Sequence, residues 1–431
     1  MSNYQERLLR AIPGGAHTYS RGFDQFPSNA PKILVGGKGA YVFDPEGNHY
    51  LDYGMALRAV NIGYAEKEID DAAIKQILLG NNLTRPSVIE LEAAELLIEL
   101  IDSVDMVKFT KNGSTAVSAA VKLARAYTGR EVVVRCAEQP FFSYDDWFIG
   151  STPLKRGIPL ETIKNTKIFQ YNNLESLKML IDQFPEQIAC VVMEAETNEA
   201  PNEGFLISVQ ELCHKNQIVF ILDEMITGFR WNLKGAQKNY GLKPDLSTFG
   251  KAMANGFSVS CVAGRREIME LGSIEFEGRE RMFLLSTTHG AEMSGLGAFV
   301  ATIEMMKREN VVEHIWSYGN SLKELLVSKS IEYSVDQSFK IGGPPCSPWY
   351  LTLDNEGNTS AALRTLFSQE MIKSGVLMPW IAISLRHGET ELKRTANALD
   401  QALPVYKKAL DEGVNFYLEG PVIKPVFRTH N

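Results

Sequence analysis

The stretch “LDEMITGFRWNLKGAQKNYGLKPDLSTFGKAMANG”, residues 222–256, holds the strongest structural signal in the sequence. It begins inside an apolar, β-branched run, “IVFILDE” (218–224), that ends in the carboxylates Asp223 and Glu224. It then reaches a short strand-like segment, 246–250, followed by Lys251 among Ala, Met, Asn and Gly residues. A carboxylate at the end of a buried strand needs a partner, as does an ammonium among small apolar residues. The two groups therefore indicate a site at the edge of a buried sheet.

Outward from this stretch, short β-branched runs alternate with amphipathic segments, the pattern of a largely parallel sheet covered by helices. The predicted strands are “VKFT” (107–110), “EVVVRC” (131–136), “IACVVME” (188–194), “IVFILDE” (218–224) and “SCVAG” (260–264). The predicted helices are “STAVSAAVKLARAYTG” from Ser114, “LESLKMLIDQF” from Leu174 and “LISVQELCHKN” from Leu206. Before residue 55 and after about residue 310 the sequence has short strand-like pieces and a helix-rich tail. We therefore predict an α/β fold in which both ends of the chain form one smaller domain.

The composition is that of a globular protein with more than one core: 431 residues, 45% hydrophobic and 22% charged, with a net charge of -8. This charge gives no general attraction to nucleic acid or to anionic lipid, so we expect neither as a partner. The N-terminus lacks the apolar core of a secretory signal, and no apolar stretch has the length of a membrane span, which favours a cytoplasmic location. The five cysteines and seven histidines show no metal-binding spacing, so we expect no metal.

In open α/β sheets ligands bind at the carboxyl ends of the strands, so the residues after each strand are candidate site residues. After the first predicted strand, “KNGSTA” (111–116) turns through Gly113 and opens a helix. We expect the first free amides of this helix at Gly113, Ser114 and Thr115, where small side chains and the helix dipole favour phosphate. An ordinary helix cap explains the same residues, and the sequence leaves that alternative open.

Three further residues point to a planar, cationic cofactor. Phe141, in “EQPFFSYDDWF” (138–148), can present its ring to a planar ligand, although adjacent aromatic residues at a strand end also serve as core. Asp223 needs a partner, either a helix N-terminus or a cationic ligand, and Lys251, once partly desolvated, becomes a nucleophile that can form a Schiff base. Pyridoxal 5′-phosphate fits the whole set, with its phosphate on the turn at 113–115, its ring on Phe141, its ring nitrogen on Asp223 and an imine on Lys251.

The sequence resembles the class III pyridoxal-phosphate aminotransferases, most closely their glutamate-1-semialdehyde aminomutase branch, over nearly its full length. The stretches that carry the resemblance are “RAIPGGAHTYSRGF” (10–23), “GAYVFDPEGNHYLDYG” (39–54), “NGSTAVSAAVKLARAYTGR” (112–130), residues 222–256 and “AGRREIM” (263–269). The resemblance implies the aspartate-aminotransferase type of fold (fold type I): a mostly parallel sheet in a large cofactor-binding domain, 56–310, and a small α+β domain from both termini, 1–55 and 311–431. It also implies a homodimer with shared active sites, because Thr288 matches a threonine that reaches the phosphate held by the neighbouring subunit.

The resemblance implies roles for individual residues of the large domain. Lys251 matches the imine-forming lysine that also moves the substrate proton, and Asp223 matches the acid that keeps the ring nitrogen protonated. Met225 and Phe141 match the residues packed on the two faces of the ring. Glu194 matches a glutamate near the substrate.

Several positions depart from the family pattern. The family's serine-glycine-threonine-glutamate turn is Asn112–Thr115 here, which keeps phosphate binding and loses the acidic residue. The usual histidine-glycine-histidine after the stacking aromatic is Phe142–Tyr144. The aminomutase branch has tryptophan and glycine where this chain has Leu57 and Arg58, and a glutamate where it has Ile381. These changes alter the substrate pocket and leave the cofactor pocket intact, which argues against an aminomutase proper.

Three arginines are candidates for binding a substrate anion. Arg21, in “HTYSRGF”, matches the arginine that pairs with the substrate carboxylate in the aminomutase branch. Arg58 adds a second guanidinium unless it is a surface cation in a loop, and Arg386, in “SLRHGE”, is a third candidate. Two arginines suit a dicarboxylate such as glutamate, or an acceptor with a carboxylate or phosphate.

These features predict an aminotransferase that moves an amino group from a donor to an aldehyde or ketone acceptor of sugar-like size. L-glutamate is the expected donor because it is frequent in the family. An intramolecular aminomutase is the alternative, and a non-catalytic protein that binds pyridoxal phosphate is a remote one.

Overall fold

The computed structural model describes residues 3–275, 277–278 and 280–430. The chain divides into two compact units. Residues 67–312 form the large unit, and residues 1–66 and 313–431 together form the small unit. The sequence predicts domain boundaries after residues 55 and 310, whereas these units divide after residues 66 and 312.

The strands within the described residues are short. They are β1 (Gly36–Lys38), β2 (Tyr41–Phe43), β3 (His49–Asp52), β4 (Met106–Thr110), β5 (Val132–Cys136), β6 (Thr166–Phe169), β7 (Ile188–Met193), β8 (Val219–Asp223), β9 (Leu246–Phe249), β10 (Ser260–Gly264), β11 (Phe339–Gly342), β12 (Trp349–Thr352) and β13 (Val376–Leu377).

The helices range from single turns to more than twenty residues. They are α1 (Tyr4–Ala11), α2 (Met55–Arg58), α3 (Lys67–Leu78), α4 (Val88–Leu100), α5 (Gly113–Thr128), α6 (Asp146–Ile149), α7 (Leu160–Lys164), α8 (Leu174–Gln183), α9 (Phe205–Lys215), α10 (Ala236–Tyr240), α11 (Arg266–Met269), α12 (Met293–Arg308), α13 (Val311–Glu332), α14 (Ala361–Lys373) and α15 (Glu389–Glu412). Of the helices in the described ranges, none is both long enough and apolar enough to cross a membrane.

The large unit is built on a seven-stranded sheet in the order β4-β10-β9-β8-β7-β5-β6. Strand β10 runs antiparallel to its neighbours β4 and β9, and every other pairing in the sheet is parallel. Every residue of β5, β7, β8, β9 and β10 is buried, which explains why β7 and β8 appear in the sequence as long apolar runs. The mostly parallel α/β sheet predicted from the sequence is therefore present.

Helix α5 packs against this sheet through a face of small residues. Its buried residues include Ala116, Ala119, Ala120 and Ala124, whose methyl groups let the helix lie close to β8, β9 and β10. The helix ends at Gly129, whose φ of 69° closes the last turn in the left-handed conformation that glycine adopts most easily. Its first turn, which begins at Gly113, follows the carboxyl end of β4 at Thr110.

The small unit contains a four-stranded sheet in the order β1-β2-β3-β13 and a two-stranded sheet, β11-β12. Strand β13 pairs in parallel with β3, so that Val376 lies opposite Leu51. Directly after β3 the chain makes a left-handed turn, α2, in which Met55, Ala56, Leu57 and Arg58 have φ between 38° and 66°. Four consecutive non-glycine residues in this conformation store strain of about 1–2 kcal/mol each.

Candidate active site

The sheet of the large unit brings five of the predicted residues to one edge. Gly113 follows β4, Phe141 follows β5, Glu194 follows β7, Asp223 is the last residue of β8, and Lys251 follows β9. Because these five strands run parallel, their carboxyl ends face the same side of the sheet. The residues expected to bind one cofactor therefore share one end of one sheet.

The carboxylate of Asp223 is 2% exposed and is held by two donors. The amide of Met225 and the hydroxyl of Thr248 both donate to its Oδ1 atom, at 2.9 and 3.1 Å. Thr248 lies directly opposite Asp223 in the pairing of β8 with β9. Burial raises the pKa of Asp223 from 3.8 to about 6, although the Met225 amide and the Lys251 ammonium act in the opposite direction. This carboxylate is therefore poised to gain from a cation placed beside it.

Lys251 begins a 3₁₀ turn, Lys251–Ala254, whose other three residues are buried. Its φ is 46°, in the left-handed region that residues with a side chain rarely adopt. Such conformations persist where the surroundings impose them, and they are concentrated at functional sites. The charge of the Lys251 ammonium acts to lower the pKa of Asp223, so the two predicted catalytic groups interact electrostatically.

Met225 lies between the turn before α5 and the turn that carries Lys251. A Cβ atom added to Gly113 would lie 2.8 Å from the Met225 sulfur, and one added to Gly250 would lie 2.7 Å from the same atom. Neither position therefore accepts a side chain while Met225 keeps its place. The thioether fixes the spacing between the predicted phosphate turn and the predicted lysine.

The first turn of α5 differs in one respect from the prediction. The Asn112 side chain caps the helix by accepting the Thr115 amide at 2.9 Å, so the expectation that this amide is free is wrong. The amides of Gly113 and Ser114 have no acceptor among the described residues. The Ser114 hydroxyl oxygen accepts the Tyr144 amide at 3.1 Å, and the Thr115 and Tyr144 hydroxyls lie 3.3 Å apart. The turn thus presents two backbone amides and a group of hydroxyls to an anion.

The two adjacent phenylalanines have different environments. Phe142 is 2% exposed and packs edge-on against Phe148 at 5.8 Å, so it belongs to the core. Phe141 contacts Phe148 edge-on at 5.7 Å but is 48% exposed, which leaves ring surface available to a planar ligand. Glu194 is buried, and the Gln139 side-chain amide fixes its backbone by donating to its carbonyl and accepting its amide.

Thr288 is exposed on the large unit. Its carbonyl oxygen accepts a hydrogen bond from the Asn82 side chain at 3.1 Å. This contact anchors the backbone of the loop and leaves the threonine side chain at the surface.

The predicted arginines all belong to the small unit. Arg21 is exposed and lines a cavity of about 610 Å³, together with Leu57, Tyr64 and Trp380. Arg58 is half-buried at the end of the left-handed turn α2. Arg386 forms a two-pronged ion pair with Glu66, both hydrogen bonds being 2.7 Å long, and this pairing accounts for its charge within the small unit. Ile381 is completely buried, and it places an apolar side chain where the aminomutase branch has a glutamate.

Sequence reasoning missed two groups that shape the site. Thr248 positions Asp223. The sequence could have indicated this role, because the Thr248 hydroxyl lies three residues before Lys251 in a strand parallel to β8. The ion pair between Lys111 and Glu292 (2.8 Å) joins residues far apart in the chain, so no local sequence pattern predicts it.

These residues fit pyridoxal 5′-phosphate. The amides of Gly113 and Ser114 can hold the phosphate, Asp223 can partner a protonated ring nitrogen, and Lys251 can form the covalent bond. Met225 packs closely against Gly113 and Gly250, so its side chain is held in a place where it can pack against the face of a flat ring. The donor set and the buried carboxylate therefore suit this cofactor.

Comparison with known proteins identifies relatives along the whole chain. A family model described as Aminotransferase class-III matches residues 25–343, more than half of the chain. A 3-aminobutyryl-CoA aminotransferase from Cloacimonas acidaminovorans is 32% identical, covering 94% of this chain and 97% of the relative. A glutamate-1-semialdehyde 2,1-aminomutase from Methanosphaera stadtmanae is 29% identical, covering 92% and 96%. The structure of the FumI protein of Sphingopyxis sp. MTA144, in its PLP internal aldimine form, aligns with a TM-score of 0.86 at 24% identity and covers 95% and 97%, which establishes the predicted fold.

Proposed function

The chain belongs to the class-III aminotransferases, a family of pyridoxal-phosphate enzymes, and on this basis we propose that it transfers an amino group from an external donor to a separate carbonyl acceptor. L-glutamate is the proposed donor. An aldehyde or ketone of sugar-like size is the proposed acceptor. The observation that supports catalysis most directly is the buried Asp223 carboxylate beside Lys251 at the carboxyl edge of the sheet.

The cofactor would supply an electron sink for the carbon that loses a proton. Asp223 would hold a proton on the ring nitrogen, since its carboxylate attracts a neighbouring cation and this attraction is stronger where burial excludes water. Lys251 would bind the cofactor covalently and, once released, would move a proton between the substrate carbon and the cofactor carbon, acting first as a base and then as an acid within each half-reaction. Thr248 and the Met225 amide would keep Asp223 in place.

A separate acceptor is favoured over an internal transfer by three positions. Ile381 is buried where the aminomutase branch carries a glutamate, and Leu57 stands where that branch has a tryptophan. Arg58 adds a cation near the same turn. These residues change the region in which a mutase must retain its own intermediate. A relative at 32% identity is named as an aminotransferase acting on a CoA ester, which supports the same choice.

We also propose a cytoplasmic homodimer with shared active sites. Seven apolar side chains that precede or follow Asn82 in the sequence are exposed on the large unit, and we propose that they belong to one apolar surface: Ile74, Ile77, Leu78, Leu79, Leu83, Val88 and Leu91. Exposed apolar patches of this kind are typical of subunit contacts. Asn82, within this surface, donates to the carbonyl of Thr288. The residue expected to reach the partner's cofactor is thus bonded to the surface expected to meet the partner.

The half-reaction with L-glutamate tests the transferase reading. Adding L-glutamate alone to the holoenzyme should convert the cofactor to its amine form, seen as a change in absorbance, and should release 2-oxoglutarate. A panel of amino acids, followed by candidate aldehydes and ketones, would then identify donor and acceptor. Absence of conversion with every donor, together with turnover of glutamate-1-semialdehyde to 5-aminolevulinate, would contradict the proposal.

Two controls separate chemistry from assembly. Borohydride should fix the cofactor on Lys251, and Lys251→Ala should lose both the label and the turnover. Mixing Lys251→Ala subunits with Thr288→Ala subunits should give heterodimers in which one of the two sites is intact, with activity above either parent. An active monomer would contradict the shared site.

The second candidate function is intramolecular amino transfer. It is favoured by Arg21, which is exposed and lines the cavity of the small unit, and by relatives at 29% identity that are named as aminomutases. The assay with glutamate-1-semialdehyde distinguishes it from the proposed transferase. A non-catalytic role would be indicated only by a cofactor bound to Lys251 that no donor or acceptor alters.

A further inference from the structure

An ion pair in the large unit connects the predicted phosphate turn to the loop that carries Thr288. The Lys111 ammonium and the Glu292 carboxylate are 2.8 Å apart, and their side chains are 24% and 29% exposed. Lys111 immediately precedes Asn112, the cap of α5. Its carbonyl also accepts the Ser258 hydroxyl, which fixes the backbone on which the turn begins.

Glu292 contacts both Lys111, which precedes this turn, and Asn81, which lies next to Asn82 in the exposed apolar surface. Its Oε1 atom accepts the Asn81 side-chain amide at 2.7 Å and the Ser294 hydroxyl at 3.2 Å, while Oε2 contacts Lys111. The hydrogen bond from Lys111 and the one from Asn81 lower the pKa of Glu292, so the carboxylate stays ionised at neutral pH. One carboxylate therefore holds two segments that are distant in sequence.

Asn81 connects this carboxylate to the proposed subunit contact. Its backbone carbonyl accepts the Met293 amide at 2.8 Å, and its Oδ1 accepts the Ser294 amide at 3.0 Å. The next residue, Asn82, donates to the carbonyl of Thr288. A displacement of the loop at 81–82 would therefore be transmitted through Glu292 to Lys111 and the turn that follows it.

We infer that Lys111 and Glu292 are a positioning pair that couples subunit association to cofactor binding. The inference rests on the proposed homodimer with shared sites. Ordering the 81–82 loop and the Thr288 loop against a partner would hold Glu292, and Glu292 would hold Lys111 and the phosphate turn. By thermodynamic linkage the effect is reciprocal, and because a homodimer binds two cofactors, saturating pyridoxal phosphate must tighten the dimer by the square of the factor by which dimer formation tightens each cofactor site.

The test measures this factor directly. The dimer dissociation constant would be determined by dilution of fluorescently labelled subunits, with and without pyridoxal phosphate, and cofactor affinity by equilibrium dialysis. In the wild type we expect pyridoxal phosphate to lower the dimer dissociation constant by about tenfold or more, within the usual range of coupling between sites. Lys111→Met and Glu292→Gln should each reduce this factor to below about threefold.

Further variants separate coupling from general damage. Glu292→Gln keeps an oxygen for Asn81, Lys111→Arg keeps the ion pair and should retain the wild-type factor, and the double variant Lys111→Met/Glu292→Gln should be no worse than either single variant. Lys67→Met is the matched control, because Lys67 pairs with Asp71 on the exposed side of α3 and such pairs contribute little. Variants that weaken both equilibria but leave the factor unchanged would overturn the inference and leave the homodimer standing. A wild type that binds the cofactor fully as a monomer would overturn both.

Discussion

Replacing Asp223 by Asn should stabilise the cofactor-free protein while removing its activity. Burial raises the pKa of Asp223 from 3.8 to about 6. The folded protein therefore holds the proton more tightly than the unfolded chain, and its free energy of unfolding declines as pH rises from about 4 to about 6. At about 1.4 kcal/mol for each pKa unit, keeping this carboxylate ionised costs about 3 kcal/mol at pH 8.

Asparagine avoids this cost without losing the existing hydrogen bonds. Met225 and Thr248 both donate to a single oxygen, Oδ1, and the carbonyl oxygen of an asparagine can accept both. Chemical denaturation of the cofactor-free proteins should show Asp223→Asn more stable than wild type by about 2–3 kcal/mol at pH 8, with the difference vanishing near pH 4. The attraction between Asp223 and Lys251 is already included in the raised pKa, so its loss is part of this range.

The same comparison of wild type with Asp223→Asn in the presence of pyridoxal phosphate should favour the wild type. A protonated ring nitrogen beside Asp223 supplies the missing cation, so pyridoxal phosphate should stabilise the wild type more than Asp223→Asn. Asp102→Asn is the control, because Lys234 hydrogen bonds to that exposed carboxylate and lowers its pKa. No gain is expected there. If cofactor-free Asp223→Asn is less stable than wild type at pH 8, or if the difference is independent of pH, the electrostatic reasoning fails.

Three other outcomes follow from single positions. Gly250→Ala would drive a methyl group into the Met225 sulfur and the Ser260 hydroxyl, so thermal unfolding should show a loss of about 1–3 kcal/mol and cofactor affinity should fall, whereas an unaffected variant would contradict the close packing. Burial lowers the pKa of His387 from 6.5 to about 3, so the free energy of unfolding should fall by about 1.4 kcal/mol per pH unit as pH drops from 6.5 towards 3, and this part of the slope should be missing in His387→Gln. Arg21→Ala should weaken the glutamate half-reaction by about 2–5 kcal/mol if Arg21 holds the donor carboxylate, and an unchanged half-reaction in stopped-flow absorbance would assign the carboxylate to another residue.

The sequence predicted the centre of the sheet because β7 and β8 are buried on both faces and therefore appear as long apolar runs. Strand β6 escaped prediction because it is a four-residue edge strand with half-buried and exposed positions. Asp223 and Lys251 could be found because each closes a predicted strand, and parallel strands deliver their ends to one edge.

Details that depend on side-chain geometry could not be predicted in the same way. The Thr115 amide was expected to be free, yet a rotation of the Asn112 side chain is enough to occupy it. The Lys111–Glu292 pair joins positions on two elements whose proximity appears only once α12 has packed in the large unit. The family and its cofactor chemistry were predictable from residues 222–256. The identity of the acceptor depends on the shape of the substrate pocket, which is formed by side chains that only folding brings together.

The parallel pairing of β13 with β3 can form only after most of the chain has been synthesised. Strand β3 ends at Asp52, but its partner begins at Val376. At a synthesis rate of about 5–20 residues per second, the N-terminal strand waits roughly 15–65 s on the ribosome before its neighbour exists. The contiguous residues 67–312 can meanwhile complete their own sheet. Nascent chains of this protein should therefore carry an unpaired strand edge at β3 for most of their synthesis, and such an edge is a target for chaperones that bind during translation.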